Sequence, residues 1–218
     1  SALYIDPRGH RFVGRRAYEQ AALNPDNVAR EFKRLMGTST PLRLAKETVT
    51  LSPEEASAEI LRALLEQART EAGDKPIEGT VITIPAAFNQ MQTEATIAAA
   101  DLAGISPVGL LHEPIAAAMA SMANSSVRSG QFLVYDLGGG TFDVALVQAS
   151  SGTVNIVAHE GVNMLGGKDF DEMLMREIIS PWLEKNFDLA PDYRLDPDFA
   201  RLLKRVKLRV EQARARRI

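Results

Sequence analysis

Residues 132–143, Phe-Leu-Val-Tyr-Asp-Leu-Gly-Gly-Gly-Thr-Phe-Asp, place an acid, three consecutive glycines and a hydroxyl between two apolar runs. Glycine has no Cβ, so the amides of Gly138, Gly139 and Gly140 can approach a bulky anion. Such a nest of main-chain N–H groups binds phosphate without a lysine. Asp136 ends the first apolar run and is suited to hold a hydrated Mg²⁺ through water; the Thr141 hydroxyl can bond a phosphate oxygen. Commoner phosphate loops do not fit. G-x-x-x-x-G-K-[ST] occurs nowhere, and a dinucleotide fingerprint begun at Gly138 fails at Asp143, where its third glycine belongs. Phe142 to Gln148 is rich in β-branched and aromatic residues and predicts a strand, so the turn of a β-hairpin would grip the anion. A bare triple glycine is often only a surface turn; the flanking acid and hydroxyl argue for more.

Four further groups can serve the same chemistry. Glu113 stands at a predicted strand end before Pro114, a position that faces a cleft in open α/β sheets. A carboxylate there can orient a water for attack on a terminal phosphate, though alone it reads as a surface acid. Lys33, in Phe32-Lys33-Arg34-Leu35-Met36-Gly37, can neutralise charge on a transferred phosphoryl group, though alone it is one solvated lysine among many. Gly166 and Gly167 open a helix and make a ready anion site. Glu211 and Arg214 lie one helical turn apart and can engage a ribose or base edge, the ordinary alternative being a surface ion pair.

The elements that must hold these groups follow from periodicity. Leu3 to Ile5 and Arg11 to Val13 flank an Asp-Pro-Arg-Gly turn and predict a hairpin. Helices are predicted over 15–23 and 28–35, and weak strands over 42–44 and 48–51. Ser52-Pro53-Glu54-Glu55 predicts a capped helix start, with Ile60, Leu61, Leu64 and Leu65 as its buried stripe. Strand 80–84, helix 89–103, strand 107–111 and helix 115–123 then alternate, which predicts a mixed sheet covered by helices. A polar joint at 124–130 precedes the glycine hairpin, a strand over 153–158, and a long helix from Asp169 towards Phe187 interrupted at Pro181.

The 218 residues allow one large domain or two small ones, and 45% hydrophobic with 24% charged residues is the balance of a globular chain. No apolar run approaches a membrane span, no secretory signal opens the chain, and the absence of cysteine excludes disulfides and thiolate metal sites. Net charge is −3, but residues 201–217 carry eight Lys/Arg against one acid. Phe199, Leu202, Leu203, Val206, Val210 and Ala213 recur there at helical spacing. An amphipathic helix with a solvated basic face is therefore preferred over a nucleic-acid site, since no aromatic residue interleaves the basic run.

Six motifs in order resemble the nucleotide-binding domain of the seventy-kilodalton heat-shock (DnaK-type) chaperones, within the actin-like ATPase superfamily. They are Phe-Lys-Arg-Leu-Met-Gly (32–37), Ile-Pro-Ala-Ala-Phe-Asn (84–89), Leu-His-Glu-Pro-Ile-Ala-Ala-Ala (111–118), Asp-Leu-Gly-Gly-Gly-Thr-Phe-Asp (136–143), Leu-Gly-Gly-Lys-Asp-Phe-Asp (165–171) and Val-Glu-Gln-Ala-Arg (210–214). The resemblance implies an α/β, actin-like (ribonuclease H-like) fold, present in part, with mixed sheets flanked by helices. It further implies four segments: 1–52 as the peripheral and 53–127 as the core subdomain of lobe I, 128–166 as the core of lobe II, and 167–218 as the start of its periphery. Implied cofactors are ATP/ADP and Mg²⁺. Lys33, Glu113, Asp136 and Thr141 would be catalytic, Gly138, Gly139, Gly140, Gly166 and Gly167 phosphate-binding, Glu211 and Arg214 adenosine contacts, and Pro85 the relay of nucleotide identity. In the intact protein a J-domain co-chaperone, a nucleotide-exchange factor and an unfolded-peptide-binding domain are the expected partners, in the cytoplasm, with neither nucleic acid nor membrane. Non-catalytic nucleotide sensing and an actin-like or sugar-kinase role are the alternatives. The family's early Asp-Leu-Gly-Thr-Thr hairpin is missing, so weak or no ATP turnover is expected of residues 1–218 alone. Thr93, Ala87, Lys168, Ala215 and Ile218 also depart from the family's usual residues.

Overall fold

The computed structural model describes residues 1–215 apart from 22, 46, 47, 107, 127, 151 and 163, the side chains of Arg194, Pro197, Arg201, Lys204, Gln212, Arg214 and Ala215 excepted. The chain forms two compact units: residues 1–30, 43–50 and 167–218, and residues 31–42 and 51–166.

In the first unit, β1 (Ala2–Ile5) lies between β2 (Arg11–Val13) and β3 (Val28–Arg30), antiparallel to both. Asp6 closes the predicted β1–β2 turn by accepting the amides of Arg8 and His10. The helix α1 (Arg15–Gln20) buries Ala17 against Ala2 and Tyr4. Over 28–35 the predicted helix does not form. Val28 and Ala29 pair with β1, Glu31 turns left-handed at φ 60°, and only Phe32–Leu35 coil, as a 3₁₀ turn. An available sheet edge and a β-branched Val28 outweigh the apolar spacing. The predicted weak strands form as β4 (Leu42–Leu44) and β5 (Val49–Leu51), which pair with each other.

The predicted long helix is three pieces, α5 (Gly167–Leu174), a π-helical turn (Met175–Ile179) and α6 (Ser180–Asn186). Pro181 has no N–H for the carbonyl four residues back and its ring crowds that carbonyl, so the widened turn falls just before it. The predicted helix α7 (Pro197–Ala215) forms, but Leu202 of its predicted apolar stripe is 49% exposed while Leu208, outside that stripe, is buried; its Lys207 Nζ donates to Glu172 of α5 at 2.8 Å.

The second unit holds the alternating segment. In α2 (Pro53–Ala72) the Ser52 hydroxyl accepts from the Glu55 amide while the Glu55 carboxylate accepts from the Ser52 amide, the predicted capping box. Its tightest contacts are through Ala56 and Ala58; Leu61 and Leu65 pack on the core, but Leu64 is 56% exposed. The strands β6 (Thr80–Ile84) and β7 (Val108–His112) are parallel neighbours joined through α3 (Gln90–Leu102), whose Ala95, Ala99 and Ala100 are buried. The helix α4 (Glu113–Ala123) follows at once, then the antiparallel sheet β8 (Gly130–Leu137), β9 (Phe142–Ser150) and β10 (Thr153–Val162). Helices and sheets are thus α/β in content, yet among the described residues parallel and antiparallel pairing occupy separate sheets rather than one mixed sheet. No described helix is long and apolar enough to cross a membrane.

Two measurements test these contacts. Ser52→Ala removes an N-cap acceptor and is expected to cost about 1 kcal/mol in denaturant unfolding; an unchanged midpoint would show the box to be idle. The hydrogen bond from Lys207, against a smaller opposing effect of burial, holds Glu172 below its usual 4.5. The contribution is therefore present above that value and lost as pH falls through the lower folded pKa. Glu172→Gln should lower the melting temperature slightly at neutral pH and converge with the parent in acid, a difference persisting in acid being the contrary result.

Candidate functional site at the glycine turn

The glycine hairpin forms as predicted. Leu137 pairs with Phe142, and the turn between them closes through the Gly138 amide donating to the Thr141 carbonyl at 2.9 Å. Phe132 and Val134 of β8 and Ala145 and Val147 of β9 point to one face, where Ala118 of α4 packs. Strand alternation carries that face up to Asp136 and Asp143, which stand directly opposite each other in the register. Docking α4 on this face sets its first residue, Glu113, beside the acid pair: Glu113, Pro114, Asp136, Asp143 and Ala86 line one small void. Glu113 thus begins a helix rather than ending a strand, since His112 is the last residue of β7.

Lys33 meets this acidic group. Its Nζ donates to Glu113 Oε1 at 2.7 Å and stands 5.8 Å from the Phe88 ring centroid, while the neighbouring Pro85 is fully buried. Asp143 is 7% exposed and its Oδ2 has no hydrogen-bond partner. Burial first, then the charges of Glu113 and Asp136, push its carboxyl above the usual carboxylate range, with Lys33 and His159 pulling the other way. Four charged side chains from four chain segments therefore share one field. Among the described residues no group of three or more His, Cys, Asp or Glu converges closely enough to cage a metal ion.

None of Gly138, Gly139 and Gly140 has positive φ, and of the three only Gly140 is crowded where a Cβ would stand. A Cβ on Gly166 would lie 2.6 Å from the Gly140 nitrogen and 2.7 Å from the Gly139 carbonyl carbon, so the chain after β10 rests directly on the turn. On Gly140 a Cβ would meet Arg34 Nε at 2.8 Å. On Gly161 it would meet Asp143 Oδ1 at 2.6 Å. The register explains that last contact. A bulge between Ile156 and Ala158 shifts β10 by one residue, which sets Gly161 opposite Asp143. Without it Glu160 would face the buried acid.

Of the residues singled out from sequence, Lys33, Glu113 and Asp136 come together, with Gly138, Gly139, Gly140, Thr141 and Gly166 at the adjoining turn. Gly167 and Glu211 belong to the other unit. There Arg30 Nη2 donates to both carboxylate oxygens of Glu211, at 2.9 and 2.7 Å. Burial, then the Glu211 charge, pushes the Tyr18 hydroxyl up beside them. The Arg214 side chain lies outside the described residues. Asp143, Gly161 and Arg34 were not singled out. Asp143 was legible in principle: seven residues beyond Asp136 across a four-residue turn, it must oppose it.

The close approach at Gly166 predicts that Gly166→Ala, which forces a methyl into backbone, destabilises the second unit by about 1–3 kcal/mol. Gly139→Ala should be nearly neutral because nothing lies within 4 Å of its Cβ. Denaturant unfolding distinguishes them, and equal midpoints would contradict the stacking of the two loops.

Comparison with known proteins identifies the family. The family model described as Hsp70 protein matches residues 3–216. Proteins named "Chaperone protein DnaK" are similar: that of Mycoplasmoides gallisepticum is 41% identical over 174 residues, covering 79% of this chain and 29% of its own length. That of Metamycoplasma hominis is 41% identical over 186 residues, 84% of this chain and 31% of its own. That of Thermotoga neapolitana is 37% identical over 187 residues, 86% and 30%. The chain spans about a third of the length of these curated relatives. With one family model running from Leu3 to Arg216, the chain belongs to the Hsp70 protein family.

Proposed function

We propose that this chain is the nucleotide-binding part of a DnaK-like chaperone and that the intact protein hydrolyses ATP, coupling nucleotide state to the binding of unfolded polypeptide by a partner domain. The carrying observation is the meeting of Lys33, Glu113, Asp136 and Asp143 beside the glycine turn. In this reading the units belong to an actin-like, ribonuclease H-like arrangement, with segments 1–52, 53–127, 128–166 and 167–218 as its subdomains. A J-domain co-chaperone and a nucleotide-exchange factor would act on it.

The amides of Gly138, Gly139 and Gly140, with the Thr141 hydroxyl and the Gly166 loop, would hold the phosphate tail. In the other unit, Gly167, Glu211 and Arg214 are nucleotide contacts only by their match to the family motifs. Glu211 would then exchange a bond to Arg30 for one to the ribose. Asp136 and Asp143 offer hard oxygen donors, which fit Mg²⁺ held by few carboxylates, several waters and the phosphates themselves. When bound, Mg²⁺ supplies charge neutralisation on the phosphate oxygens. Lys33 donates to Glu113, so this carboxylate is placed to orient a water rather than to act as a strong base. The water oxygen would bond to the terminal phosphorus as the bridging P–O bond breaks, the diphosphate leaving with that bond's electrons and the water proton passing to a phosphate oxygen, and Lys33 would stabilise the charge spread over the transferred group. Lys33→Ala in the intact protein is expected to lower single-turnover ATP hydrolysis by about 10²–10³-fold. Turnover equal to the parent's would sink this reading.

A further inference from the structure

Arg34 is a cation beside the phosphate turn that the mechanism above does not use. In the 3₁₀ turn Phe32–Leu35, successive side chains diverge by about 120°. Lys33 consequently goes to Glu113 while Arg34 goes to the glycines. The Arg34 stem lies across Gly140, with Nε, Cγ and Cδ at 2.8, 3.3 and 3.5 Å from where a Cβ would be. Any side chain at Gly140 would evict it. Arg34 is half-buried, unlike a solvated surface arginine.

The charge balance gives this placement a consequence. Glu113, Asp136 and Asp143 surround one lysine, and that lysine is committed to Glu113 at 2.7 Å. A phosphate tail entering such a site meets net negative charge, and each added phosphate raises the opposition. A second cation on the turn offsets it, and a guanidinium does so with a planar fork that matches phosphoryl oxygens. We propose that Arg34 is a specificity-determining residue that favours a nucleoside triphosphate over the diphosphate at the glycine turn. This rests on the turn binding a nucleotide at all. Turn amides alone serve either nucleotide; the arginine contributes most where the extra phosphate charge lies.

The test measures affinities of the intact protein for ADP and for a non-hydrolysable ATP analogue, with Mg²⁺, by competition against a fluorescent nucleotide. Arg34→Met keeps the stem on Gly140 and removes the charge. It is expected to weaken the triphosphate about tenfold or more, the scale of one hydrogen bond to a charged group, and the diphosphate by less than about threefold. Arg34→Gln should lower the same ratio, and either variant that keeps the parent's melting temperature suffices. Gly140→Ala, which displaces Arg34 without altering it, should also lower the ratio if neither does. An unchanged ratio in a folded variant overturns the inference. A parent that binds neither nucleotide overturns the proposed function instead, so the two failures are distinguishable.

Discussion

The structure turns on the docking of α4 against the inner face of the β8–β9 hairpin. Ala118 is small enough to bring the helix onto Ala145 and Val147, and Phe132 and Val134 fill the flanks. This contact is apolar, but its result is electrostatic. A helix laid along that face must end beside Asp136 and Asp143, and its first residue is Glu113. Three carboxylates are thereby held together by alanine and valine packing against their mutual repulsion. The positive end of the α4 dipole and the Lys33 ammonium reduce the cost. Asp143 is buried among them, and its carboxyl pKa is raised.

Space at this site is made by leaving side chains out. Gly161 gives room to the Asp143 carboxylate, Gly140 to the Arg34 stem, and Gly166 lets two loops touch backbone to backbone. None of Gly138, Gly139, Gly140, Gly161 and Gly166 is there for a left-handed angle. That differs from Gly37, where both reasons hold: φ is 72° and a Cβ would lie 2.8 Å from the Met91 carbonyl carbon. A turn crowded on two sides by chain and arginine is preorganised, because little has to move to keep its amides in place.

Much of this was legible before the fold. The hairpin around Gly138–Gly140, the capping box at Ser52, the strand–helix–strand alternation over 80–112 and the helix α7 all follow from short-range pattern and turn chemistry, and all are present. Failures occurred where distant partners decide. Val28 and Ala29 took a place on the edge of β1 instead of coiling. Leu64 stayed outside because α2 approaches its neighbours through alanines.

By itself the sequence determined which local elements form around the glycine turn, because caps, glycines and strand alternation act within a few bonds. Only the tertiary structure decided their company. Lys33 and Glu113 are eighty residues apart and meet through helix packing. Gly161 rather than Glu160 faces Asp143 because one bulged residue resets the register. Strand register has a period of two, so a single-residue shift exchanges an acid for empty space, and only the paired strands fix which of them results.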